Sequence, residues 1–336
     1  MDQTFFLAAN SGQGFTSLYD GFPGGGQFLH ILKGGPGTGK SGFLRRIRRA
    51  AHERGYDTVS ILCSGDPDSL DGLCVPALAQ AWVDGTAPHV REPQLFGADA
   101  DYVNLGLFCR LPLSEADRVR ALALHRANRE RCGAACALLE AAAALEAGEE
   151  LHDAQVTREE LGRVREILAA YPDHNGACRA EKRFLSAISC QGLLFLGETL
   201  NMLCKQVHVL RGGSAVLEEA AALARKKSGR VILCPRPLRP GQLEAVLLPE
   251  QSTAFLRAPA ALMVPRGERL LSGEALGAAI EELAAAKALH DKLEAVYRPY
   301  MDFDALTGFT EEYVTRLCLP LEGKVASGVS RKPDDG

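Results

Sequence analysis

Apolar positions first gather into short runs set between turn signals. Phe28 to Leu32 (FLHIL) and Thr58 to Cys63 (TVSILC) have strand length and composition, and Gly42 to Arg54 between them reads as a helix ended by Gly55. Asp66-Pro67-Asp68 marks a turn, and Leu78 to Val83 reads as a third strand ending at Asp84-Gly85. Strands alternating with helices predict an α/β unit whose parallel sheet is covered on both faces. From Leu113 the pattern becomes helical. Ser114 with Asp117 is a capping pair opening an Ala-, Leu-, Glu- and Arg-rich stretch that reaches about Leu151. Thr157 with Glu160 opens a second helix to about Ala170, stopped by Tyr171-Pro172. The expectation is a helical hairpin or small bundle inserted after the first α/β unit.

The strand pattern then recurs. FLAANSGQG (Phe6 to Gly14) returns as FLSAISCQG (Phe184 to Gly192), and HILKGG (His30 to Gly35) as HVLRGG (His208 to Gly213), both 178 positions later. VSILC, ending at Cys63, pairs with RVILC, ending at Cys234, 171 positions later, and Pro76 with Pro249, 173 positions later, so the second copy is shorter around the loop and helix. The tripeptide Leu151 to Asp153 recurs at Leu289 to Asp291. A shared ungapped offset predicts tandem duplication of one unit, an α/β piece followed by helices. The expected division is an α/β nucleotide-binding domain over 1–112, a helical insert over 113–180, and a related α/β domain over 181–265. A helical segment over 266–320 and a flexible tail over 321–336 complete it.

One turn carries chemistry. GGPGTGKS, Gly34 to Ser41, has Gly34, Gly39, Lys40 and Ser41 at the spacing GxxxxGK[ST], after a predicted strand and before a predicted helix. Glycines let successive backbone N–H groups turn inward around a phosphate chain, and the helix N-terminus favours its charge. Gly34, Gly35, Pro36, Gly37, Thr38 and Gly39 would form the cradle. Lys40 would reach the β- and γ-phosphates, and Ser41 would ligate Mg²⁺. The second copy continues Arg211-Gly212-Gly213-Ser214-Ala215-Val216-Leu217, without the lysine or the metal-binding hydroxyl in register. It is expected to be a degenerate copy.

A nucleotide-bound Mg²⁺ also needs a strand-end carboxylate. Asp84 is the leading candidate, as metal ligand and catalytic residue; a plain Asp-Gly turn is its alternative. Asp66, Asp68 and Asp71 follow the second strand, and one of them could orient water or accept a proton; Asp66 is taken as the catalytic candidate, against ordinary turn chemistry. His89 is a weaker candidate, better read as structural. Arg45, Arg46, Arg48 and Arg49 are read as a solvated helix face.

Composition narrows the classes. The net charge is −4, which calls for neither nucleic acid nor an anionic membrane. No run approaches the roughly 20 apolar residues of a membrane span. Ten cysteines occur without a CxxC pair, and they are read as small buried hydrophobes in a reducing compartment rather than a zinc site. The expected location is the cytoplasm.

The chain resembles a bacterial family of duplicated P-loop ATP-binding proteins whose biological role is not settled. The likeness rests on ILKGGPGTGKS, CSGDPDSLDG (Cys63 to Gly72), DGTAPH (Asp84 to His89), AKALHDKLEAVY (Ala286 to Tyr297) and the MDFDAL that soon follows. It spans about residues 4 to 320. The resemblance implies ATP binding and an ATPase activity. The lost loop of the second half departs from a two-site pattern.

The sequence therefore predicts a P-loop NTPase-like α/β fold with a parallel sheet, tandemly duplicated, with helical inserts after each copy. The expected ligands are ATP and Mg²⁺, and the expected reaction is hydrolysis. A small-molecule or nucleotide kinase and a non-hydrolysing nucleotide sensor are the alternatives. Gly85, where AAA-type ATPases place a water-polarising Glu after the strand-end Asp, argues against simple membership of that group. A protein partner or a second copy of the chain is left open.

Overall fold

The computed structural model describes residues 2–149, 154–211, 213–258 and 271–318. The described residues form an α/β structure with two mixed sheets, two β-hairpins and flanking helices. In its first part the strands are β1 (Gln3–Phe6), β2 (Ala8–Ser11), β3 (Gly14–Ser17) and β4 (Phe28–Lys33). Helix α1 (Lys40–Glu53) precedes β5 (Val59–Leu62), β6 (Leu70–Val75), β7 (Gln80–Asp84) and β8 (Ala100–Asn104). Two helices, α2 (Glu115–Glu149) and α3 (Ala154–Ala169), then lead to the second part. There the elements are β9 (Arg179–Lys182), β10 (Ser186–Ser189), β11 (Gly192–Phe195), α4 (Gly197–Leu203), β12 (Gln206–Leu210) and α5 (Ser214–Lys227). They continue with β13 (Arg230–Pro235), β14 (Leu243–Leu248), β15 (Thr253–Arg257), α6 (Leu271–Tyr297) and α7 (Phe303–Cys318).

The first sheet runs β1-β5-β6-β7-β4-β8. It is not the parallel sheet expected. β6 is antiparallel to both β5 and β7, while β1–β5, β4–β7 and β4–β8 are parallel. The reason is connection length: a parallel neighbour needs a long crossover, whereas short turns deliver antiparallel ones. The β6–β7 turn is a single 3₁₀ turn at Pro76–Leu78 closed by Ala79 in the left-handed region, φ 52°. That turn takes the beginning of the expected third strand, so β7 starts at Gln80.

The second sheet runs β12-β15-β14-β13-β9. Read from β9, it has the order and strand directions of β1-β5-β6-β7-β4. Its matching turn is again a 3₁₀ turn, Pro249–Gln251, closed by a left-handed residue, Ser252, φ 51°. Phe6 and Phe184 exchange both backbone hydrogen bonds, N–H to O at 3.0 and 2.9 Å, so the corresponding segments meet across a local two-fold. Both phenylalanines are fully buried. One apolar cluster runs through both parts, joining Phe5, Leu7, Tyr19 and Ile31 to Leu185, Ile232, Cys234 and Leu247. The two sheets therefore share a core.

The helices exchange partners. α3 follows the first part yet packs Val164 and Leu168 against Val216, Leu217 and Ala220 of α5 in the second. α7 follows the second part yet packs Leu306, with Phe309 and Tyr313, against Phe43, Leu44 and Ile47 around α1. Of the helices expected as a hairpin or small bundle, α2 has a long-range partner and lies along α6. Ala135, Leu139 and Ala142 meet Ala279 and Leu283 on that seam, where small side chains allow close helix approach. The repeat at Leu151 to Asp153 and the tail over 321–336 lie outside the described residues. No helix among the described residues is long and apolar enough to cross a membrane.

Candidate functional site

The loop after β4 turns on its glycines. Gly37 and Gly39 sit at φ 68° and 85°, a region that costs a residue with a Cβ. Gly39 is the N-cap of α1, so the helix begins at Lys40 and directs its N-terminal dipole at the loop. Thr38 is buried and donates its hydroxyl to the Gly35 carbonyl at 2.9 Å, which closes the turn from inside. A Cβ on Gly34 would lie 2.4 Å from Thr38 Oγ1. Gly34 therefore has no room for a larger side chain.

Asp84 arrives by strand pairing. β7 runs parallel to β4 with Asp84 opposite Leu32, so its carboxylate stands at the sheet edge beside the loop. Asp84 Oδ2 is 3.7 Å from Lys40 Nζ, and both side chains are largely buried. Asp84 Oδ1 accepts from the Thr86 N–H at 2.8 Å and the Thr86 hydroxyl at 2.6 Å, which fixes the carboxylate. Lys40 Nζ also donates to the Gly34 and Gly35 carbonyls, each at 3.0 Å. Ser41 Oγ accepts from the Leu70 N–H at 3.0 Å, tying the start of α1 to the start of β6.

The donors at this end fit Mg²⁺. They are a hydroxyl, Ser41, and a carboxylate, Asp84, both hard oxygen ligands of the kind Mg²⁺ takes when phosphates and water complete its shell. No group of three or more His, Cys, Asp or Glu side chains able to hold a metal ion is present among the described residues.

The other predicted acids separate. Asp66 accepts from Ser69 Oγ at 3.1 Å and pairs with Lys287 Nζ at 3.4 Å. Asp68 accepts from Gln191 Nε2 at 2.8 Å, across to the second part, and its carbonyl takes a hydrogen bond from Arg45. Asp71 is different. Gly72 of β6 pairs with Val83 of β7, which sets Asp71 next to Asp84 on the neighbouring strand. Asp71 is 6% exposed, accepts from the Tyr19 hydroxyl at 3.3 Å, and has His89 Nε2 at 3.4 Å. Burial pushes the Tyr19 phenol and the Cys63 thiol up, and the negative Asp71 beside them pushes both further. His89, expected to be a satisfied structural residue, has a buried Nδ1 with no hydrogen-bond partner; the Tyr19 and Phe15 rings flank it.

Sequence reasoning assigned α6 no part in the site. Glu294 Oε1 accepts from the Gly37 N–H at 3.2 Å, although 257 positions separate them. His290 at 3.4 Å holds the Glu294 carboxyl below its usual range, burial opposes this, and the Gly37 N–H adds to it. A Cβ on Gly37 would meet the Glu294 backbone oxygen at 3.2 Å, one on Gly35 the Tyr297 ring at 3.9 Å, and one on Gly39 Leu306 at 2.9 Å. The α6–α7 corner thus roofs the loop. The available signal was AKALHDKLEAVY, which contains Lys287, His290, Glu294 and Tyr297. The arginines of α1 are not wholly a solvated face: Arg46 reaches Thr307 Oγ1 at 3.2 Å as Arg45 reaches Asp68.

The corresponding turn of the second part lies between β12 and α5. The Arg211 N–H donates to Glu160 Oε1 of α3 at 2.8 Å, and Gly213 caps α5; Gly212 lies outside the described residues. No family model, curated protein or solved structure matches this chain.

Proposed function

We propose that Gly34–Ser41 cradles the phosphates of ATP, that Ser41 and Asp84 hold its Mg²⁺, and that the bound nucleotide is hydrolysed. The observation that carries this reading is the approach of Asp84 to Lys40, 3.7 Å apart, at the end of the strand beside the loop strand. A Gly-rich turn alone gives no reason for that. Two charged side chains held largely out of water beside a helix N-terminus form a site suited to a polyanion and its cation.

Each residue then has a task. The loop N–H groups and the start of α1 position the phosphates. Lys40, released from the Gly34 and Gly35 carbonyls, neutralises charge on the β- and γ-phosphates as the bond to the leaving phosphate lengthens. Bound Mg²⁺ supplies further neutralisation there. Asp71, rather than Asp66, is the carboxylate for the attacking water, because the β6–β7 register sets Asp71 beside Asp84 whereas Asp66 turns to Lys287 of α6; Tyr19 and His89 hold the Asp71 carboxylate in place. Asp71 accepts a hydrogen bond from the water and orients it.

The repeated strand order, the matched left-handed turns and the reciprocal Phe6–Phe184 pairing support the two parts being tandem copies of a P-loop NTPase-like unit. The second copy, with Glu160 on its turn and no lysine there, would serve as a structural half.

Mg²⁺-dependent phosphate release from ATP tests the reading, with Lys40→Ala and Asp84→Asn as controls and calorimetry following ATP binding. Slow release by the parent, lost in both variants, is expected. Binding without release would favour a sensor, or a kinase lacking its acceptor. No ATP binding by the parent would refute the assignment.

A further inference from the structure

The loop's anion-binding groups are already engaged by the protein itself. The Gly37 N–H is held by the Glu294 carboxylate at 3.2 Å, and Lys40 is folded back on two carbonyls of its own turn at 3.0 Å. The α6–α7 corner lies close over the same turn, leaving little space for a Cβ between Gly37 and the Glu294 backbone or between Gly39 and Leu306. α6 belongs to the helical arm after the second part, and it lies along α2 on an apolar seam. In the second part a glutamate of the other arm, Glu160, also accepts a backbone N–H, that of Arg211, at the place Lys33 holds in the first part.

We infer that Glu294 is an internal competitor for the phosphate cradle, and that phosphate binding at Gly37 releases the end of α6. This rests on the nucleotide-binding reading of Gly34–Ser41. The physical reason is exclusion. One N–H cannot donate well to two anionic oxygens, and two negative oxygens brought to the same donor repel each other. Glu294 and a phosphate oxygen therefore take turns at Gly37.

Two consequences follow from linkage. The protein binds phosphates more weakly than its open cradle would, by the fraction of molecules in which Glu294 is disengaged. Reciprocally, bound phosphates weaken the hold of α6 on the loop by the same factor. Lys287, about two turns earlier, pairs with Asp66 and Asp291, so the same helical segment is tied to the first part at a second point. Release of Glu294 shifts the last turns of α6 against the loop. The α2 seam carries that shift into the long helical arm. The nucleotide state is thus converted into arm position by one carboxylate.

The experiment is calorimetric titration of Mg-ATP and of inorganic tripolyphosphate into the parent, Glu294→Gln and Glu294→Ala. Both probes are expected to bind about tenfold more tightly to the variants, the scale of a partly exposed charged hydrogen bond. Hydrogen exchange over 287–297 is expected to rise when ATP is added to the parent, and to be raised without ATP in the variants. Thermal unfolding confirms that both variants fold. Parent-level or weaker binding by folded variants, with the parent itself binding, would overturn the competitor role and leave the nucleotide site standing. No binding of either probe to the parent or the variants would overturn both.

Discussion

Glu244 offers the sharpest quantitative test of the core. It is the second residue of β14, the strand place that Asp71 holds in β6. Its two carboxylate oxygens accept from Ser186 Oγ at 2.8 and 2.6 Å. Burial pushes the carboxyl up to about 7 from an ordinary value of 4.5, against the opposing pull of the Ser186 hydrogen bond and the Arg236 charge. The folded protein thus holds this proton more tightly than the unfolded chain. The resulting stability is fully present below about pH 4.5 and is lost as pH rises through about 7. At about 1.4 kcal/mol per pH unit, that interval amounts to roughly 3 kcal/mol, an upper figure because Glu244 keeps some surface. Glu244→Gln removes the titration while keeping an acceptor for Ser186. Urea unfolding of parent and variant, followed by circular dichroism from pH 4.5 to 8, isolates the effect, because other titrating groups cancel in the difference. The variant is expected to gain on the parent by roughly 2–3 kcal/mol across that range. A difference that stays flat with pH would refute the reasoning.

Further expectations follow from named contacts. Asp71→Asn should lower the turnover of ATP about 100-fold while leaving its affinity near the parent's, and Asp66→Asn should change turnover only a few-fold; equal effects would remove Asp71 from its role. Gly39→Ala must hold φ 85° with a Cβ 2.9 Å from Leu306, so it should cost about 1–2 kcal/mol by urea unfolding and weaken ATP binding; parent-like values for both would contradict the loop geometry. Trp82→Phe deletes the hydrogen bond from Nε1 to the Tyr313 hydroxyl at 3.0 Å, and should lower hydrogen-exchange protection in α7 by about 1 kcal/mol without altering that of α5. Phe184→Ala empties a fully buried position between the two parts and should destabilise the whole chain by about 3–5 kcal/mol; a loss below about 1 kcal/mol would mean the parts do not share a core.

Local patterns were legible from residues alone. The strand at Phe28, the helix after the loop, the long helix from Glu115 and the spacing of Gly34, Gly39, Lys40 and Ser41 all depend on neighbours within a few positions. Turn chemistry, helical periodicity and glycine placement act over that range. Asp84 was a candidate by its place at a strand end. Strand order was not legible, because antiparallel insertion of β6 depends on which short connections the sheet closes, and a buried apolar run reads the same in either direction. Nor could the sequence choose among Asp66, Asp68 and Asp71, which share one turn-rich string. Lys287, from a helix more than 200 positions away, engages Asp66, while β7 brings Asp84 beside Asp71. The exchange of helical arms and the Glu294–Gly37 contact are likewise tertiary. An amphipathic helix states that it has an apolar face, but only the packing of the whole chain decides which surface covers it.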